Sequence, residues 1–306
     1  MSEKKIGSMF TREYLWRGIT IAFGLAVIGL TIMIGAFLIY KGSDTFIKFH
    51  HTILEFIGSP DWDPVDGASE TGAVGARIFI VGSLATCGLA LLIATPFSLG
   101  SAIFMTEISP KFGEKFYRPI VQIFSGIPSV VYGWVGLTVL VPAIKKIFNL
   151  QVGQSVLAAG MVLALMIFPN ITTVSADAIK AVPASARQGA YGLGSTRWQM
   201  IWRVVIPAAL PGIISGIVLG LARALGEALA VAMVIGQTIA APTSLFSRTR
   251  TLTTEIASQM GNAMEGGELK AALWTMAALL FILAMIMITI IHRLSAYNEK
   301  KQQGKD

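Results

Sequence analysis

Five stretches of the chain run for more than twenty residues without a formal charge: Ile19–Tyr40, Ile78–Thr106, Pro119–Ile144, Ile147–Ala176 and Ala271–Ile291. About 20 apolar residues cross the ~30 Å hydrocarbon layer of a bilayer as a helix. A sixth stretch, about 206–237, is interrupted only by Arg223 and Glu227. Spanning strands would alternate apolar and polar residues in short segments, and these runs do not. Backbone in lipid must satisfy its own hydrogen bonds, so uninterrupted apolar runs become helices. The expected fold is an all-α integral membrane protein with six transmembrane helices.

Charges fall at the ends of these runs. Fifteen of the 24 Lys and Arg lie in 1–18, 107–118, 177–203 and 292–306, and eight lie in the alternate connections. The acidic residues split seven against nine, so one side of the membrane carries the excess of base. Such an excess beside short loops marks the cytoplasmic face, which places both termini inside. The overall charge of +7 therefore reflects topology. No basic stripe on a soluble face points to nucleic acid, and the partner surface expected is membrane lipid. The first span reads as an uncleaved anchor: it is long for a signal-peptide core, and Tyr40-Lys41-Gly42-Ser43-Asp44 offers no cleavage pattern. This gives a cytoplasmic tail over 1–18, a first helix over 19–40, an extracytoplasmic loop over 41–75, a membrane domain over 76–292 and a second cytoplasmic tail over 293–306.

Three connecting or interrupted segments carry functional readings. In the outer loop, Ser59-Pro60-Asp61-Trp62-Asp63-Pro64-Val65-Asp66-Gly67 favours turns. It reads either as a docking surface for an extracytoplasmic partner, with Trp62 and Asp63 in contact, or as a connecting loop with an interfacial tryptophan. His50 and His51 have no third ligand nearby, so no metal site is expected. Within the third run, Phe124-Ser125-Gly126-Ile127-Pro128-Ser129-Val130-Val131-Tyr132-Gly133 combines a proline with two glycines. Irregular backbone at membrane depth survives buried in protein or beside a watery cavity. A broken helix lining a path, with Ser129 and Tyr132 on it, is one reading; close packing through small residues is the other. The cytoplasmic segment 177–205 holds Pro183, suited to the first turn of a short helix, then small residues, then Gly192 and Gly194 as breakers. A second amphipathic piece follows with Trp198 and Trp202. Such a helix fits a groove on another protein or lies on the membrane surface.

The fifth span carries Arg223 and Glu227 in Ala222-Arg223-Ala224-Leu225-Gly226-Glu227. A charge at the bilayer centre costs ~2.5–3.5 kcal/mol, so such a residue is a functional candidate by default. At i and i+4 Arg223 and Glu227 share one helix face and can meet. The two form either a self-neutralising structural pair or part of a solute path. A guanidinium fork matches tetrahedral oxyanions, and a carboxylate can accept a hydrogen bond from a protonated one. Phosphate keeps a hydroxyl at neutral pH and sulfate does not, so the combination leans toward phosphate.

Two resemblances follow from these residues. Gln188-Gly189-Ala190, with Gly194 and the ending Val204-Val205-Ile206-Pro207, resembles the coupling loop of ABC-importer permeases. The family usually has Glu where this chain has Gln188. Ala222–Glu227, Ile127–Gly133, Trp62-Asp63-Pro64 and Gly189-Ala190-Tyr191-Gly192-Leu193-Gly194-Ser195 are together similar to the permease subunits of bacterial phosphate ABC transporters, PstC type. The resemblance implies a type I ABC-importer permease fold in the bacterial inner membrane and a substrate path at Arg223, Glu227, Ser129 and Tyr132. It also implies an ATPase-docking loop at Gln188, Gly189, Ala190, Tyr191, Gly192 and Gly194. The implied partners are a second homologous permease, an ATP-binding subunit dimer and an extracytoplasmic phosphate-binding protein. The chain has no Gly-x-x-x-x-Gly-Lys-Ser/Thr loop and no catalytic constellation of its own. It is expected to hold no catalytic residues and no cofactor.

Protease added to right-side-out vesicles should leave the 1–18 segment intact and should cleave it in inside-out vesicles. The reverse pattern would invert the topology.

Overall fold

A computed structural model describes residues 3–65 and 72–302, with side chains over 16–65 and 72–293. The ends of both tails and Asp66 and Gly67 of the outer-loop motif lie outside the described residues. Six helices among them are long and apolar enough to cross a membrane: Trp16–Ile47, Arg77–Ile108, Ser129–Ile147, Val156–Ala181, Arg197–Gly226 and Glu268–Arg293. The principal helices are α1 (Glu3–Gly42), α2 (Ile53–Gly58), α3 (Arg77–Ile103), α4 (Arg118–Gly126), α5 (Ser129–Val135) and α6 (Val156–Ala181). They continue as α7 (Ala184–Gly192), α8 (Ile206–Gly226), α9 (Leu229–Val234), α10 (Leu252–Gln259) and α11 (Glu268–Gln302).

Among the described residues four π-turns punctuate the helices: Phe104–Ile108, Gly113–Tyr117, Gly136–Leu140 and Ile201–Val205. Each ends two residues before a proline: Pro110, Pro119, Pro142 and Pro207. A proline lacks the N–H that the carbonyl four residues earlier needs. The backbone widens by one residue before it, so that Val141 N–H, for example, donates to Gly136 O. The third span then runs from α5 through its π-turn to Ile147, and the fifth starts at Arg197 and enters α8 through its own.

α6 is the central post. In its apolar window 67% of residues are buried, against 6% for the first span, so α1 is peripheral. α8 crosses α6 on a ridge of glycines four residues apart. A Cβ on Gly212 would lie 2.4 Å from Ala178 Cβ, one on Gly216 3.2 Å from Val174 Cβ, and one on Gly220 2.8 Å from Ile171. In lipid, helix pairing draws on close van der Waals approach rather than on hydrophobic exclusion, so small residues mark the contact. The central core of α3, α6, α8 and α9 is built from Leu163, Met166, Ile167, Leu221, Val231 and Val234. A second cluster, including Met105, Ile179, Met200 and Ile201, lies toward the cytoplasmic ends.

On the outer side, β1 (Trp62–Asp63) pairs antiparallel with β2 (Ala73–Val74), Trp62 facing Val74. Trp62 packs edge-on against Phe79 at 5.2 Å. The fully buried Glu268 carboxylate ties this face together. It accepts from Val65 N–H at 2.8 Å and Gly72 N–H at 2.8 Å, and lies 2.8 Å from His51 Nε2. The loop is therefore fastened to the first turn of the last span.

Several boundaries differ from the sequence reading. The run 119–144 is split, the run 147–176 becomes a helix over Val156–Ala181, and the helix expected to continue to 237 stops at Gly226. Both tails continue the adjoining helices instead of forming separate segments.

Gly212→Ala should lower the thermal midpoint in detergent, corresponding to about 1–3 kcal/mol of overpacking. Gly24→Ala, where nothing lies within 4 Å of the added Cβ, should leave it unchanged.

Candidate functional site

Two helix breaks meet at membrane depth. The first separates α4 from α5. In a continuous helix Phe124 O would accept from the N–H of residue 128, and Pro128 has none. Ile127 (ψ 129°) and Pro128 (ψ 140°) are extended instead. Phe124 O is left with a 3.3 Å bond from Ile127 N–H, and Tyr132 Oη supplies the missing donor at 2.7 Å. Tyr132 is buried while Val130, Val131 and Trp134 of the same short helix are exposed. Ser129 opens α5 and is half-buried. Ser125 Oγ donates to Asn170 Oδ1 of α6 at 3.3 Å.

The second break separates α8 from α9. Glu227 is extended (ψ 122°) and its N–H reaches only Ala224 O. Its carboxylate turns forward, and Oε1 accepts from Ala230 N–H at 3.0 Å to satisfy the first turn of α9. Its carbonyl accepts from Thr253 Oγ1 of α10 at 2.9 Å. The breaks interlock: a Cβ on Gly133 would lie 2.8 Å from Ala230 Cα and 2.8 Å from Met233 Sδ.

This corrects the expectation that Arg223 and Glu227 share one helix face. The backbone changes course at Glu227, and no ion pair joins the two side chains among the described residues. Arg223 sits in the last turn of α8, where the carbonyl end of a helix favours a cation. It is half-buried, and it makes no hydrogen bond or ion pair among the described residues. At the first break, then, Tyr132 bonds to the Phe124 carbonyl, and the next residue, Ser125, bonds to Asn170. Tyr132 lines a cavity of about 560 Å³ with Phe97, Val139, Met161 and Leu165. Gly226 and Ala228, on either side of Glu227, line another of about 480 Å³ with Leu38, Thr253 and Phe281.

Sequence reasoning missed Ser125 and Asn170. The signal was present, since Asn170 follows Pro169 directly after the apolar stretch 156–168.

The other predicted residues lie on the two membrane faces. α7 begins after Pro183, which precedes the helix rather than entering its first turn. Gln188, Gly189, Tyr191 and Gly192 are exposed, as is Gly194, whose φ of +78° requires glycine. Ala190 faces inward. Leu193, 91% exposed, stands at the tip. At the outer face Asp63 is exposed, and Trp62 is half-buried against Phe79.

The family described as "Binding-protein-dependent transport system inner membrane component" matches residues 76–300. A "Probable ABC transporter permease protein YqgH" of Bacillus subtilis is 43% identical over 299 residues, covering 97% of this chain and 96% of the relative. A "Phosphate transport system permease protein PstC" of Pasteurella multocida is 36% identical over 312 residues, covering 96% and 94%. One from Haemophilus influenzae is 34% identical over 312 residues, covering 96% of each. Among solved structures, an inward-facing MetNI methionine ABC transporter chain superposes with a TM-score of 0.55 at 21% identity, covering 72% of this chain and 96% of that one. This last likeness identifies the fold as that of type I ABC-importer permeases.

Tyr132→Phe should cost about 1 kcal/mol of stability in detergent by removing the donor to Phe124 O. Pro128→Ala restores a backbone N–H at that point, so the double variant should lose less than the two single losses combined.

Proposed function

The chain belongs to the family of binding-protein-dependent transport system inner membrane components, and from that membership we propose that it is the permease subunit of an ATP-driven importer carrying inorganic phosphate across the bacterial inner membrane. The half-buried Arg223, without a side-chain partner among the described residues in the last helical turn before the second break, carries the reading. An unpaired guanidinium at membrane depth costs several kcal/mol, and a passing anion offsets that cost for as long as it is bound. Two relatives at 34–36% identity are named as phosphate transport permeases, which favours phosphate among the tetrahedral oxyanions.

In this mechanism a loaded phosphate-binding protein docks on the outer loops, around 41–75 and 238–269, with Trp62 and Asp63 in the docking region. A second homologous permease completes the path. An ATPase dimer receives the exposed face of α7 around Gln188–Gly194, and ATP is hydrolysed on that dimer. Its closure alternates access to the path. Arg223 compensates the anion's charge, with its guanidinium presenting a donor fork to the oxyanion. Glu227 has one carboxylate oxygen committed to Ala230. The other is free to accept the hydroxyl that phosphate retains at neutral pH, which sulfate lacks. Ser129 and Tyr132 line the same passage, and Ser125 and Asn170 extend it toward the cytoplasm.

Arg223→Ala should leave the complex assembled and reduce labelled phosphate uptake by about tenfold or more. Normal uptake by an assembled variant would remove this role. Excess unlabelled sulfate or molybdate should compete poorly. Effective competition would assign the path to another oxyanion, and uptake that survives loss of the ATPase would make the chain an ATP-independent carrier.

A further inference from the structure

The docking helix α7 is poorly suited to transmit force through apolar packing. Its residues are Ala184, Ser185, Ala186, Arg187, Gln188, Gly189, Ala190, Tyr191 and Gly192. Of these, only Ala186 and Ala190 join the cytoplasmic-side core. A methyl group buries little area, and at about 25 cal/mol per Å² two of them hold a helix weakly. The helix nevertheless has one strong attachment. Arg187 turns inward, away from the exposed Gln188 and Gly189, and its guanidinium is mostly buried.

From there it reaches two separate pieces of the membrane domain. Nε and Nη2 donate to Glu107 Oε1 at 3.2 and 2.8 Å. Nη2 also donates to Ile179 O at 2.8 Å, and Nη1 donates to Val182 O. Glu107 lies in the π-turn that ends the second span. Ile179 and Val182 close the C-terminal end of α6, where helix carbonyls lack intrahelical partners. Beyond the docking helix, Arg197 repeats the arrangement, with Nη2 donating to Glu107 O and, at 3.0 Å, to Ile108 O. One buried carboxylate and its flanking backbone are therefore held by two arginines from the segment that follows the fourth span.

We infer that Arg187 is a positioning residue that makes α7, the end of the second span and the end of α6 move as one body, so that displacement of α7 by a docked ATPase reaches the membrane helices. This rests on the importer reading for the existence of the ATPase partner, and adds the joint through which the stroke passes. Stability alone is a weak reason for such a pair, since a buried ion pair roughly offsets its desolvation penalty. Rigid geometry is what a planar, five-donor fork adds that lysine cannot.

The test uses the assembled transporter in lipid nanodiscs and compares wild type with Arg187→Gln, Arg187→Lys and Glu107→Gln. Two quantities are measured: substrate moved per ATP hydrolysed, and hydrogen exchange at residues 100–108 with and without a non-hydrolysable ATP analogue. In wild type the analogue should alter exchange at 100–108. In Arg187→Gln and Glu107→Gln the ATPase should stay bound and active, the nucleotide response at 100–108 should disappear, and transport per ATP should fall by about tenfold or more. Arg187→Lys should fall between. Transport and hydrolysis falling in proportion, with the exchange response intact, would reduce the cluster to an ordinary structural tie and overturn the proposal. If Arg187→Gln does not assemble, Glu107→Gln alone decides, because it keeps a polar side chain and loses only the charge. The exchange measurement contains no solute, so it stands or falls independently of whether phosphate is the cargo.

Discussion

Hydrocarbon offers a backbone carbonyl no hydrogen bond, so every interruption of a spanning helix must be repaired from within the protein. That requirement shapes this chain at several of its prolines. Where a proline follows a π-turn, the ladder shifts by one residue and continues. Where Pro128 breaks the third run outright, the Tyr132 hydroxyl supplies the donor that the proline ring lacks. At the second break Glu227 performs the converse repair, its carboxylate accepting an orphan N–H of α9. Each repair brings a polar side chain to a depth where lipid would exclude it. Irregular backbone and the candidate path are thus two consequences of one constraint.

The close crossing of α8 on α6 determines where the charge ends up. Glycines 212, 216 and 220 let the two backbones approach, and the next turn beyond the last of them carries Arg223. The helix then stops, so the guanidinium lies at its carbonyl-rich C-terminal end. On the cytoplasmic side the order is reversed. α7 shows small and polar residues outward and fixes itself through Arg187, so the surface offered to a partner is separate from the contacts that hold the helix in place.

Much of this was legible beforehand. Five uncharged runs and a sixth interrupted only by Arg223 and Glu227 yield the six spans, because the bilayer sets a minimum length that soluble helices seldom reach without charge. The motif around Pro128 reads either as a broken helix or as close packing through small residues; the backbone breaks there, and Gly133 also packs tightly on α9. The error at Arg223 and Glu227 has an equally definite cause. Spacing of four residues implies a shared face only while the helix continues, and Ala-Leu-Gly-Glu contains no proline to announce a stop. The break at Glu227 comes from tertiary contacts, the Thr253 bond to its carbonyl and the packing of α9 on Gly133. The clamp at Glu107 was equally hidden, since 80 residues separate it from Arg187 and each charge alone looks like part of the cytoplasmic bias. The inward turn of Trp62 depended on Phe79, which lies across the outer loop.

The most direct test of the account is chemical access to the two breaks in the working complex. Cys87, the single cysteine, is buried and can be replaced by alanine. Ser125→Cys, Ser129→Cys and Gly226→Cys would then be probed one at a time with a charged, membrane-impermeant thiol reagent in the assembled transporter. A water-filled anion path through the breaks predicts labelling at all three positions, slowed by phosphate, with Phe23→Cys on the peripheral first span unreactive. Three unreactive positions, or labelling that phosphate leaves unchanged, would contradict the path.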